Sequence, residues 1–157
     1  MGNFDGAAVK ALMAAVKTIP EKTGVFRSSV VFHEPVTAPA AVPSLALWLG
    51  PLESVPQVSG LAEVSGRVIV QGRIYATPAA KVSDKTEEQL MTWQSTLLGA
   101  FAGAFTLGGE AMAIDLLGLS GSKISAVPGY VTYDGAVYRV SEVSVPIILD
   151  SLWAEVP

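Results

Sequence analysis

The segment "EVSGRVIVQGRIYAT", Glu63 to Thr77, is rich in β-branched residues and sorts into two faces at period two, the pattern of an extended strand. Val64, Gly66, Val68, Val70, Gly72 and Ile74 fall on one face, while Ser65, Arg67, Ile69, Gln71, Arg73 and Tyr75 fall on the other. The second face is amphipathic, with Arg67 and Arg73 well separated along it. This is the longest strand expected in the chain, and the other elements must be arranged around it.

Three further strands follow later in the sequence, over about 112–117, 125–133 and 136–149. Asp134-Gly135, between "YVTY" and "AVYRV", is the strongest hairpin signal, because both residues of a two-residue turn tolerate positive φ. Pro146 implies an end, a bulge or a sheet edge. "GVFRSSVVF" (24–32) and "SLALWLGPL" (44–52) read as strands, the second ended by Gly50-Pro51. Between them lies "HEPVTAPAAVP", whose Pro35, Pro39 and Pro43 exclude a helix or a central strand and leave an extended loop or arm.

Helical periodicity occurs twice. Val9, Leu12, Met13, Val16 and Ile19 form one apolar stripe, with Asn3 or Asp5 available as a cap and Pro20 as the expected stop. Asp84 with Glu87 resembles a capping box opening a helix to about Ala104, with Leu90, Trp93, Leu97, Leu98, Phe101 and Phe105 on its buried side. No repeat and no domain-splitting linker is visible. The expectation is one α+β domain over 1–157: an N-terminal helix and one long central helix packed on a mixed or antiparallel β-sheet.

Composition narrows the class of function. Half of the residues are apolar and 15% are charged, against about a quarter in typical domains. Mean hydropathy is +0.47, yet no run of about twenty apolar residues exists to span a membrane. The excess is that of an Ala/Val-rich monomer or, as we prefer, of a chain that buries apolar surface between subunits. The net charge of −4, with basic residues scattered singly, gives no diffuse attraction to nucleic acid. There is no cysteine, hence no disulfide, thiol catalysis or thiolate metal site. The N-terminal stretch lacks the basic lead and continuous apolar core of a signal peptide, and Gly6 stands where a myristoylation signal places Ser or Thr.

Candidate chemistry is sparse. In "FTLGGEAMAIDLLG" (105–118) Gly108 and Gly109 are adjacent and follow a helix, whereas phosphate loops space their glycines and precede one. They are read as a helix-to-strand turn. Asp115, among Ile114, Leu116 and Leu117, is the most conspicuous carboxylate, either a tuned acid or an acceptor of hydrogen bonds at a strand end. His33 is the only histidine and has no companions for a triad or zinc site. No GxSxG elbow occurs, and Trp48, Trp93 and Trp153 are too dispersed to form a stacking platform. No catalytic, cofactor-binding or metal-binding residue is assigned.

Taken in order, "HEP" (33–35), "SGLAEVSGRVIVQGRIYA" (59–76), "FTLGGEAMAIDLLG" (105–118), "GYVTYDGAVYRVSEVSVPII" (129–148) and "LW" (152–153) resemble the tail terminator proteins of long-tailed actinobacteriophages. The resemblance spans nearly the whole chain, the first helix being its loosest part. It implies a structural virion protein with no cofactor. Such a protein forms a homohexameric ring at the head-proximal end of the tail, assembled in the host cytoplasm. The ring caps the tail tube, ends its polymerisation and offers its other face to the head-completion or neck protein, while DNA passes through without specific binding. No membrane is involved. The alternatives are a head–tail connector or neck subunit of the same particle and, from another class, a small hydrolase using Asp115 and His33.

Six residues are expected to make protein contacts: His33, Glu34, Val36 and Pro39 on the proline-rich loop, and Arg67 and Arg73 on the long strand. For the loop, the competing expectation is that it folds over its own domain's core. For the arginines, it is that both are merely solvated.

Overall fold

In the computed structural model the chain is described over residues 6–26, 30–55, 63–107 and 112–154. It is an α+β fold in which two helices cover one face of a mixed six-stranded sheet. The elements run α1 (Gly6–Lys22), β1 (Val30–Phe32), β2 (Ser44–Ser54), β3 (Glu63–Pro78), α2 (Asp84–Gly103), β4 (Met112–Ile114), β5 (Ser125–Tyr133) and β6 (Ala136–Ala154), with a 3₁₀ turn (Ala79–Lys81) before α2. The sheet order is β1-β2-β3-β6-β4, with β5 also paired to β6; β1 and β2 run parallel and the other pairs named here antiparallel.

The alternation read from Glu63 to Thr77 is the spine of this sheet. β3 pairs with β2 on one side and with β6 along nearly its whole length on the other. Val68, Val70 and Ile74 face the helices and are buried. There they meet Leu45 and Leu47 of β2, Val143, Val145, Ile147 and Leu149 of β6, and Leu12, Val16, Leu90, Leu97 and Phe101 of the helices. Burial of apolar side chains at about 25 cal/mol per Å² makes this cluster the main source of stability. Among the described residues no helix is long and apolar enough to cross a membrane.

The Asp134-Gly135 turn forms as expected. Both residues have positive φ (48° and 81°), and Tyr133 pairs with Ala136, so the hairpin closes with the twist its strands require. β5 spans the expected residues, and its Pro128 is tolerated because β5 pairs on one side only.

Elsewhere tertiary context overrides local signals. Pro20 does not stop α1, which continues to Lys22. A proline in the last turn forfeits only one helical bond, and its carbonyl accepts from Thr23 N and Oγ1 at 3.2 and 2.7 Å. The proposed caps Asn3 and Asp5 lie outside the described residues, as do Gly108 and Gly109. β1 is confined to Val30–Phe32; Gly24 instead turns the chain away from α1 at φ +77°, and Phe26 enters the core. Gly50-Pro51 does not end β2 but forms a bulge opposite Ile69, tolerated because β1 covers only Leu45–Leu47. β4 stops at Ile114, three residues short of the expected end.

Pro146 lies within β6, which runs on to Ala154, beyond the expected end at Leu149. Its carbonyl accepts Asp115 N at 3.0 Å. A residue's N and C=O point to the same side of a strand, so the missing N–H falls at the seam where β5 ends, at Ser144, and β4 begins, at Ile147. α2 is capped by Ser83 and Thr86 rather than by Asp84 and Glu87. Ser83 N–H donates to Thr86 Oγ1 at 3.0 Å, and Glu87 is drawn away into a two-pronged pair with Arg139. Phe105 lies past the helix end and is half exposed, while Gln94 takes a buried place on the stripe by accepting Ser141 Oγ–H at 2.5 Å. At 17 and 20 residues the two helices are of similar length and share the cover, so no single helix dominates it.

Candidate interaction surface

The helices leave the other sheet face open, and it is the face on which the sequence places Arg67 and Arg73. Around Arg73 the strands bring together Ala46 and Trp48 of β2, Tyr75 of β3, Val131 and Tyr133 of β5 and Tyr138 and Val140 of β6, a second and smaller packed cluster. Arg73 Nε donates to Glu142 Oε1 at 2.6 Å, and its Nη1 donates to Tyr133 OH at 2.8 Å and Tyr75 OH at 3.3 Å. The two phenols bond each other at 2.7 Å, and the guanidinium lies 5.4 Å from the centroid of Trp48, whose Nε1–H donates to Gln71. Arg73 and Glu142 are direct cross-strand neighbours, so sheet register supplies this ion pair.

Burial opposes the charge on Arg73. The hydrogen bonds with Tyr75 and Glu142, with the Glu142 charge, outweigh it and hold the guanidinium above its ordinary pKa. Tyr75 is pushed up to about 12, first by burial and then by its bond to Tyr133, with Arg73 pulling the other way. An acid whose folded pKa is raised contributes stability in full below its unfolded pKa near 10 and loses it as pH rises toward 12. Stability will therefore fall by up to about 1.4 kcal/mol per pH unit across that window, and Tyr75→Phe will lack this component. Denaturant midpoints compared at alkaline pH, with phenolate absorbance followed in parallel, test this; equal pH dependence in the two proteins refutes it.

Toward the other end of β3, Arg67 faces Glu53 across the β2–β3 ladder at 2.5 Å and also donates to the carbonyl of Ser120 in the loop after β4. That loop is braced from within. Asp115 Oδ1 accepts Leu119 N–H at 3.0 Å, and Oδ2 accepts Ser120 N–H at 2.8 Å. Gly121 adopts φ +110°, a conformation that favours glycine over any L side chain, and a Cβ there would also displace the end of Arg67, 2.9 Å from its Nη1. The result is a backbone held firmly with Leu117 and Leu119 80% and 81% exposed.

The proline-rich loop lies against its own sheet. Tyr133 O–H donates to Pro35 O at 3.4 Å, and the loop roofs a hollow of about 350 Å³ walled by Val31, Ser44, Leu45, Ala46 and Tyr75. Of the expected contact residues, His33 and Pro39 line this hollow; His33 is exposed and Pro39 half-buried. Glu34 is exposed, and Val36 is 88% exposed, outside the lining. Arg73 is linked to the loop through Tyr133 and Tyr75, whereas Arg67 belongs to the separate Asp115 assembly. Neither arginine is simply solvated, since each is paired with an acid of its own chain.

Three participants were not singled out from the sequence: the exposed tip Leu117–Leu119, the Tyr75–Tyr133 pair and the acids Glu53 and Glu142. The tip had a signal, two leucines flanking a glycine, but Leu117 falls at the end of the strand expected over 112–117. The acids had none, because the bulge in β2 sets which residue faces Arg67. Asp115 serves as an acceptor of backbone hydrogen bonds, the second of its two expected roles, and His33 lies in a different assembly. Among the described residues no group of three or more His, Cys, Asp or Glu is placed to hold a metal ion.

No protein-family model and no curated protein matches the chain. Among solved structures, one whose name describes no activity is similar over 94% of this chain and 96% of its own, at 16% identity and a TM-score of 0.49.

Proposed function

We propose that this chain is a structural subunit that assembles with copies of itself into a ring capping a phage tail tube. The observation that carries the reading is the surface. Charged groups of the open sheet face are paired within the chain, while Leu117, Leu119 and Val36 stand out on loops at 80% exposure or more. Isolated apolar side chains are ordinary on a surface, but apolar tips on a braced loop suit burial between subunits. The order of motifs from His33 to Trp153 resembles the tail terminators and gives the assembly its place, the head-proximal end of the tail. The tail tube protein and a head-completion or neck protein are its partners in this reading.

Particles assembled without this protein will carry tubes of excess and variable length that fail to join heads. Supplying the protein in trans will restore uniform tails with a hexameric ring at one end, visible by electron microscopy. Uniform tails in its absence refute the reading. A label found on the portals of tailless heads moves the subunit to the neck instead.

A further inference from the structure

We infer that the tip Leu117–Gly118–Leu119 of one copy of this chain seats in the hollow beneath the 33–43 loop of the next copy. The inference rests on the self-assembly proposed above and supplies its contact.

The tip is pre-organised. Asp115 Oδ1 accepts Leu119 N–H, Asp115 Oδ2 and Arg67 hold the adjoining Ser120, and Gly121 N–H closes the turn onto Gly118 O at 3.0 Å. A loop ordered by folding has little conformational entropy left to lose on association. Its two leucines gain nothing from the monomer's core, being 80% and 81% exposed.

The hollow matches it. Its walls are mainly Val31, Pro35, Ala38, Pro39, Leu45 and Ala46, and its volume is about 350 Å³. A cavity of about 150 Å³ already admits benzene, so two leucine side chains fit. Ser44, on the wall, is 7% exposed, and its Oγ is buried without a hydrogen-bond partner. Charge agrees as well: Lys123, exposed beside Gly118, is opposite in sign to Glu34, exposed between His33 and Pro35 of the lining.

The placement makes the contact head-to-tail. The tip is braced on Arg67 and the hollow is walled by Tyr75, on the same face of β3 and roughly 26 Å apart at about 3.3 Å per residue. A tip cannot reach its own hollow over that span. Each copy offers a tip at one end and receives one at the other, a heterologous contact that generates a ring when its rotation closes.

The chain has no cysteine, so single engineered thiols report the contact directly. Leu119→Cys and Ala40→Cys proteins, full length and mixed under mild oxidation, will form the mixed disulfide dimer. The two changes in one chain will give a ladder of covalent multimers. Leu117→Asp with Leu119→Asp will leave the monomer's melting temperature unchanged and raise the concentration needed for assembly at least about tenfold. Assembled rings without the mixed crosslink overturn the inference while the ring reading stands. Crosslinking of Leu119→Cys to itself in preference to Ala40→Cys overturns it in favour of a two-fold contact. Unfolding of the double aspartate monomer overturns it by assigning the leucines to the chain's own fold. A protein monomeric at all concentrations and absent from tube ends overturns both readings.

Discussion

Asp115→Ala will destabilise the chain by about 3 kcal/mol. Two backbone N–H groups, of Leu119 and Ser120, donate to its carboxylate at 3.0 and 2.8 Å, and the second of these bonds is buried. Removing the acceptor leaves both donors unpaired, at about 1–3 kcal/mol each, less whatever the loop recovers by moving into water. That movement would also release the Ser120 carbonyl from Arg67 and dissolve the brace under Leu117 and Leu119. Asp115→Asn keeps one acceptor oxygen and turns an NH₂ toward the other donor, so it will show about half or more of the loss. Urea midpoints with an unchanged slope measure the difference. A loss under about 0.5 kcal/mol for Asp115→Ala would show that the loop does not depend on this carboxylate.

Arg73→Ala will cost about 2–3 kcal/mol, and Arg73→Lys about half as much. The Arg73 side chain is 13% exposed and reaches Glu142 and two phenols at once, a fan of donors that a planar guanidinium provides and an ammonium does not. Hydrogen bonds to charged groups are worth about 1.5–3 kcal/mol. The loss is moderated because Tyr75 and Tyr133 still bond each other and Glu142, 46% exposed, can return to water. A double-mutant cycle with Glu142→Gln isolates the pair, with an expected coupling of about 1 kcal/mol. Additivity of the two changes would reduce the ion pair to a bystander. Arg67→Ala and Arg73→Ala particles address assembly separately: overlong or unjoined tails from folded protein would extend the arginines' role beyond their own chain.

Elements whose signal is local formed where the sequence places them. The period-two run from Glu63 to Thr77 became β3 because alternation decides which residues face the helices. Asp134-Gly135 became the hairpin turn because few residues accept positive φ at both positions. The α2 stripe of Leu90, Leu97 and Phe101 became core because 3.6 residues per turn returns them to one side. Proline exclusion correctly left 33–43 as a loop. Signals that depend on a neighbour were not legible. Pro20 read as a helix stop, yet it lost a single bond in a last turn; Pro146 read as an end, a bulge or a sheet edge, and which of these it was depended on the seam between two strands at which it fell. Glu87 read as a cap until Arg139, distant in sequence, claimed it.

The candidate surface divides along the same line. That Arg67 and Arg73 share a face, that Asp115 is an acid in apolar company and that the 33–43 loop is neither helix nor central strand could all be read from the linear string. It took the folded chain to show that Glu53 and Glu142 answer the two arginines, that Asp115 braces a loop, and that the proline-rich segment roofs a hollow beside Tyr75. Periodicity and turn chemistry are properties of adjacent residues and survive in a linear string. Register, bulges and the meeting of loops with strands are set by which strands pair, and pairing is a long-range outcome that no local stretch of the chain encodes.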